Sequence, residues 1–129
     1  MRAGRQGIME PKVLVVEDDV EINELLGEYL ALEAIDYVAA FDGRSGLDQA
    51  QTLRPDALVL DVMLPDIDGY EVCRRVSGQR ITATTPIIML TCLSQPGDRL
   101  KGVGAGAFRY LAKPFLPDDL IDLIKAAVQ

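Results

Sequence analysis

The sequence predicts a doubly wound α/β fold: one parallel sheet with helices on both faces. Three observations predict it. Short runs rich in Val, Ile and Leu alternate with longer stretches whose apolar residues recur at helical spacing. The strongest runs are apolar without a break, which suits strands buried on both sides rather than one. Pro, Gly and Asp residues punctuate the joints. Strand then helix, five times over, implies crossover connections and hence parallel strands.

The elements follow in order. Val13, Leu14, Val15 and Val16 make the first strand. Ile22, Leu25, Leu26, Tyr29 and Leu30 mark the apolar side of the first helix, with Gly27 on its other side. Tyr37, Val38, Ala39 and Ala40 make a weaker second strand. Asp42-Gly43 is a turn, and Asp42 is placed to cap a helix running to about Leu53, where Arg54-Pro55-Asp56 breaks it. Ala57, Leu58, Val59 and Leu60 form the third strand, which stops at Asp61. Leu64-Pro65-Asp66-Ile67-Asp68-Gly69 is loop chemistry, so Asp66 and Asp68 read as turn residues rather than ligands. A short helix spans about Tyr70 to Ser77, and Pro86-Ile87-Ile88-Met89-Leu90 leads to Thr91 as the fourth strand. Pro96 suits the first turn of a fourth helix ending near Gly104. Gly102 and Gly104 mark that helix as loosely held, and Gly106 suits a left-handed cap. Phe108 to Ala112 is the fifth strand, followed by Lys113-Pro114. Pro117 opens the last helix, with Asp118 and Asp119 in its acidic first turn and Leu120, Ile121, Leu123, Ile124 and Val128 on its apolar side.

Composition bounds the function. The 129 residues divide into an N-terminal tail, residues 1–10, expected to be flexible, and one domain, residues 11–129. At 49% hydrophobic and 5% aromatic, the core is aliphatic. A net charge of -7 without a basic stretch argues against direct nucleic-acid binding. No apolar run is long enough to span a membrane, and the tail has no signal-peptide core. Cys73 and Cys92 fit neither a disulfide framework nor a metal motif, and read as two buried thiols of a reduced, cytoplasmic protein. The chain has no histidine, which excludes histidine metal sites, histidine bases and phosphohistidine donation.

In open parallel sheets the ligand site lies beyond the carboxyl ends of the strands. Here those ends carry Glu17-Asp18, Asp61, Thr91 and Lys113. Three clustered carboxylates repel one another, and a divalent cation relieves that conflict. Mg²⁺ fits best, since it takes carboxylate, water and phosphate oxygens. A carboxylate is also a nucleophile able to form an acyl phosphate, and phosphoryl transfer needs mainly positioning and charge neutralisation.

The segments VLVVEDD, LVLDVMLPDIDG, PIIMLT and FRYLAKPF resemble the signature segments of response-regulator receiver domains over about Lys12 to Val128. The resemblance implies a flavodoxin-like (βα)5 sandwich with strand order 2-1-3-4-5. It implies Asp61 as phosphoacceptor, Asp18 as a direct Mg²⁺ ligand, Glu17 as a ligand through water and the Met63 carbonyl as the third protein ligand. It implies Thr91 and Lys113 on the phosphate, a cis bond before Pro114, and Tyr110 turning inward when Thr91 moves. Asp19 more naturally starts the first helix. The implied partners are a sensor histidine kinase or phosphotransfer protein and a downstream protein or output domain. The implied switching face comprises the fourth helix, fifth strand and fifth helix. Such a domain is not an enzyme in the ordinary sense; it catalyses only its own phosphorylation and slow self-dephosphorylation.

Two features depart from the pattern. Phe108-Arg109 stands where many relatives carry two aspartates that make cross-dimer ion pairs, so a homodimer is left open. Met63 and Leu93, two residues past Asp61 and Thr91, are apolar and unable to orient an attacking water, which predicts slow dephosphorylation. The alternative reading is a degenerate receiver that docks without phosphate. A phosphohydrolase is disfavoured by Met63 where a second acid would stand, and a flavin module by the acidic EDDVEIN after the first strand.

Overall fold

The computed structural model describes residues 11–92 and 104–128. Strands and helices alternate as β1 (Lys12–Val16), α1 (Val20–Leu32), β2 (Asp36–Ala40), α2 (Gly43–Leu53), β3 (Ala57–Asp61), α3 (Gly69–Gly78), β4 (Ile87–Thr91), β5 (Arg109–Ala112) and α4 (Pro117–Val128). Among the described residues all pairings are parallel, in the order β2-β1-β3-β4-β5 that the family resemblance implies. The N-terminal tail lies outside the described residues, as does nearly all of the helix expected between Pro96 and Gly104. The helix labelled α4 is therefore the fifth of the sequence reading.

Alternation along the strands divides the core in two. Leu14, Val16, Leu58, Leu60, Ile87 and Met89 point to one face, where α2 and α3 cover them with Ala50, Val72, Cys73 and Val76. Val13, Val15, Ala57, Val59, Ile88 and Leu90 point to the other, beneath Leu26 and Leu30 of α1 and Leu120, Ile121 and Ile124 of α4. The three central strands are thus buried on both faces, the physical reason their sequences are apolar without a break.

Among the described helices three begin on an aspartate cap. Asp19 accepts the Ile22 amide at 3.2 Å, Asp42 the Ser45 amide at 2.7 Å and Asp68 the Tyr70 amide at 2.6 Å. Each cap starts a helix just past the loop that follows a strand, so loop and helix are fixed together. Gly106 takes the left-handed conformation expected of it (φ 102°), and the Lys113–Pro114 bond is cis.

Two expectations need correction. The buried face of α1 is Asn23, Leu26, Gly27 and Leu30, whereas Ile22 and Leu25 are exposed. Gly27 therefore faces the sheet, because the ring of Tyr37 occupies the space its side chain would fill. Asn23 joins it there because its amide is hydrogen-bonded on every side, as described below. The second correction is Cys92. Cys73 is buried in α3, and burial pushes its thiol up to about 11, but Cys92 is exposed because the chain has already left the sheet after Thr91.

Candidate functional site

Parallel register brings the strand ends level. Val16 pairs with Leu60, Asp61 with Leu90, and Thr91 with Ala112. The residues at or just past these ends are Glu17, Asp61, Thr91 and Lys113, so one edge of the sheet collects them.

Carboxylate oxygens of Glu17, Asp18 and Asp61 all lie within 4.8 Å of one another. Asp18 is exposed, while Glu17 is 2% and Asp61 4% exposed. Buried carboxylates this close need a counter-charge. Lys113 supplies it, with Nζ 3.0 Å from Glu17 Oε1 and 3.4 Å from Asp61 Oδ2. Burial holds the Glu17 carboxyl above its ordinary value, and the charge of Asp61 adds to that; the Lys113 and Asp19 hydrogen bonds pull the other way. Burial alone would lower Lys113, but its bond to Glu17 and the charge of Asp61 raise it above the ordinary lysine value.

Glu17 is fixed at both ends. Its amide donates to the Ala40 carbonyl at 3.0 Å, and its Oε2 accepts the Asp19 amide at 3.1 Å. With Oε1 taken by Lys113, both carboxylate oxygens already have partners.

The β3–α3 loop is closed tightly around Asp61. The Met63 amide lies 3.4 Å from Asp61 Oδ1, and Gly69 donates to the Val62 carbonyl at 2.9 Å. A side chain on Gly69 would collide with the Asp61 carbonyl and with Val62 Cα, so only glycine permits that closure. Asp66 braces the loop from the other side, accepting the Gly43 and Arg44 amides at 2.7 and 2.9 Å. Asp66 and Asp68 thus serve the backbone, as the turn reading predicts. The Met63 side chain is 60% exposed.

Thr91 is fully buried at the end of β4, and its carbonyl accepts the Lys113 amide at 2.7 Å. Tyr110 is half-buried on β5, with its hydroxyl 3.4 Å from that of Tyr70 on α3. Leu93 lies outside the described residues.

The sequence reading missed Asn23. Its side-chain amide donates to the carbonyls of Val15, Glu17 and Ala40 at 3.3, 3.0 and 3.1 Å. The signal was an asparagine one helical turn before Leu26 and Gly27, on the face that proves buried.

The arrangement suits a hard divalent cation held by carboxylate oxygens beside a carboxylate nucleophile and an ammonium group. Comparison with known proteins gives the family. The chain belongs to the response regulator receiver domain family, the match running over residues 13–125. It is 37% identical over 119 residues to the DNA-binding dual master transcriptional regulator RpaA of Synechocystis, a match covering 92% of this chain and 49% of that protein. It is 40% identical over 121 residues to the alkaline phosphatase synthesis transcriptional regulatory protein PhoP of Bacillus subtilis, covering 94% of this chain and 50% of that protein. The chain thus spans about half the length of the curated relatives it matches. Among solved structures it superimposes on the receiver domain of the Francisella response regulator 1452 with a TM-score of 0.87 and 34% identity, covering 92% of this chain and 97% of that one. The chain is thereby a receiver domain of the two-component kind. The degenerate alternative finds no support, since the acids and the lysine stand together. Among the described residues, no helix is long and apolar enough to cross a membrane.

Proposed function

We propose that this domain is a phosphorylation switch in which Asp61 accepts a phosphoryl group from a phosphohistidine. The observation that carries this is the juxtaposition of Asp61, Asp18 and Glu17 with Lys113 at the carboxyl edge of the sheet. A carboxylate oxygen of Asp61 attacks phosphorus; the N–P bond of the donor breaks and its electron pair stays on the imidazole, which takes up a proton. The donor is a sensor histidine kinase or phosphotransfer protein, since this chain has no histidine of its own.

Mg²⁺ is the metal the donor set fits. All three side chains offer oxygen, and their mutual distances of 4.8 Å or less suit an ion or an ion with its water. Asp18 and Asp61 would hold it directly, with the Met63 carbonyl, and Glu17 would hold it through water. When bound, Mg²⁺ supplies positive charge that neutralises the phosphoryl oxygens. Lys113 then exchanges Glu17 for a phosphoryl oxygen, and Thr91 donates its hydroxyl to another.

Phosphorylation adds up to about one net charge beyond that of the lost carboxylate. Lys113 and Thr91 closing on that charge pull on β4 and β5 together, because the Lys113 amide is bonded to the Thr91 carbonyl. The readout is the surface of the helix expected between Pro96 and Gly104, β5 and α4. Tyr110 reports the shift, since moving it inward disturbs its contact with Tyr70. The domain is a switch rather than an enzyme with turnover, and exposed, apolar Met63 makes its self-dephosphorylation slow. It acts in the cytoplasm on a downstream protein or output domain, and at net charge -7 it leaves nucleic-acid contact to others. A homodimer would form without the paired aspartates that Phe108 and Arg109 replace.

The test is the chemistry of the product. Incubation with phosphoramidate and Mg²⁺ is expected to attach one phosphoryl group that hydroxylamine removes, as it removes acyl phosphates. A phosphate stable to hydroxylamine would place it on another kind of side chain and end this reading.

A further inference from the structure

Asn23 is completely buried, yet it is polar and lies on the face of α1 that packs on the sheet. Burying a primary amide there is tolerable only if its donors and acceptor are met. They are met by the ends of two strands and by one phenol. The hydroxyl of Tyr37 on β2 donates to the Asn23 side-chain oxygen and lies 2.8 Å from its backbone carbonyl. Backbone carbonyls can only accept, so the strand-end carbonyls fix which way the amide faces and leave its oxygen to the phenol. The nitrogen then points at the strand ends, reaching Glu17 O at 3.0 Å and Ala40 O at 3.1 Å. The same Ala40 carbonyl takes the Glu17 amide. Glu17 is therefore clamped through its main chain on one side by this amide and through its side chain on the other by Lys113.

Gly27 makes the clamp possible. Any side chain at that position would occupy the place of the Tyr37 ring. The phenol lies on the inner side of α1, one turn from Asn23, and burial raises its pKa above the ordinary tyrosine value, so it stays protonated as a donor. Gly27, Tyr37 and Asn23 thus form a chain of contacts from β2 to the acidic turn, none of whose members touches a carboxylate oxygen of the site.

We infer that Asn23 and Tyr37 are positioning residues for the metal site, holding the backbone of Glu17 so that the Glu17-Asp18 turn is set before a cation arrives. This rests on the Mg²⁺ reading above and deepens it. A preset turn pays no ordering entropy when the ion binds, whereas a loose one does. Partners one shell out from ligands commonly change metal affinity by about 10–100-fold.

The experiment compares the wild-type domain with Tyr37→Phe, Asn23→Ala and Thr82→Val. Tyr37→Phe keeps the ring against Gly27 and removes only the hydroxyl, so it should fold even if Asn23→Ala does not. Thr82→Val is the control, because it removes a buried hydroxyl bonded to the Val76 carbonyl at 2.6 Å, away from the site. Mg²⁺ affinity is read by titration calorimetry with the metal alone, stability by urea, and the amide exchange of Asp18 and Asp19 in metal-free protein. The expected result is Mg²⁺ binding weakened several-fold in Tyr37→Phe and about tenfold in Asn23→Ala. Exchange at Asp18 and Asp19 is faster in both, and Thr82→Val loses stability with affinity and exchange at those amides unchanged. Wild-type-like affinity in Tyr37→Phe, or a drop in Thr82→Val of the same size, would overturn the inference. If the wild-type domain binds no Mg²⁺, the metal reading fails instead. Exchange at Asp18 and Asp19 then decides the clamp alone: unchanged rates in Tyr37→Phe reject it.

Discussion

Lys113 stands between two acids that would otherwise face each other in a low-dielectric edge of the sheet. It is 3.0 Å from Glu17 and 3.4 Å from Asp61, so it occupies part of the field that a divalent cation would use. Lys113→Ala is expected to lower the stability of the metal-free domain by about 1.5–3 kcal/mol, the worth of a hydrogen bond to a charged group. The same variant should bind Mg²⁺ more tightly than wild type, because the competing ammonium is gone. Urea unfolding with and without Mg²⁺ reads both effects; an unchanged Mg²⁺ affinity would show that the lysine and the ion do not share the acids. Single residues at the strand ends were legible in the sequence because their types are unusual there. Glu17, Asp18, Asp61 and Lys113 are charged groups directly abutting apolar runs. Asn23 was not legible in that way. Its role depends on three carbonyls that only the assembled sheet brings around one amide, and periodicity gives a polar residue no partners.

At the scale of elements, the loops that carry the acids are stiffened by backbone contacts. Gly69 touches the Asp61 carbonyl and Val62, whereas a side chain on Gly78 would meet nothing within 4 Å. Gly69→Ala is expected to lose about 1–3 kcal/mol as an overpacked substitution, and Gly78→Ala to gain about 0.5 kcal/mol by restricting the unfolded chain. Thermal unfolding of the two variants checks the contrast. Asp66 adds a pH dependence. Desolvation would raise its carboxyl, but the amides of Gly43, Arg44 and Ile67 outweigh it and hold it below its ordinary value of 3.8. A depressed acid stabilises the fold fully above that ordinary value and loses its contribution as pH falls through the lowered one. Asp66→Asn is therefore expected to flatten the acid limb of the stability curve below about pH 4, read by urea midpoints across that range. The elements themselves were legible because the central strands are apolar throughout and α1 and α2 begin on Asp caps. The rotation of α1 was not. Ile22 and Leu25 fit a helical stripe by spacing, and only the Tyr37 ring filling the space beside Gly27 turns that stripe outward.

For the whole molecule, the parallel register is what makes the site. Four strand ends level with one another deliver acids from β1 and β3, a buried threonine from β4 and a lysine beyond β5 to one edge. Strand order was legible only through family resemblance, since apolar runs give no neighbour relations; the parallel arrangement followed from the alternation itself. The exposed position of Cys92 is likewise a property of where the chain leaves the sheet, not of composition. The edge is proposed to carry its phosphoryl group on Asp61. The most direct measurement is intact mass after incubation with a small-molecule phosphodonor and Mg²⁺, with Asp61→Asn beside the wild type and a metal-free arm for each. One phosphoryl group is expected on the wild type, dependent on Mg²⁺, and none on Asp61→Asn. A phosphoryl group retained by Asp61→Asn, or none on a wild-type domain that a phosphorylated histidine kinase also fails to modify, would contradict it.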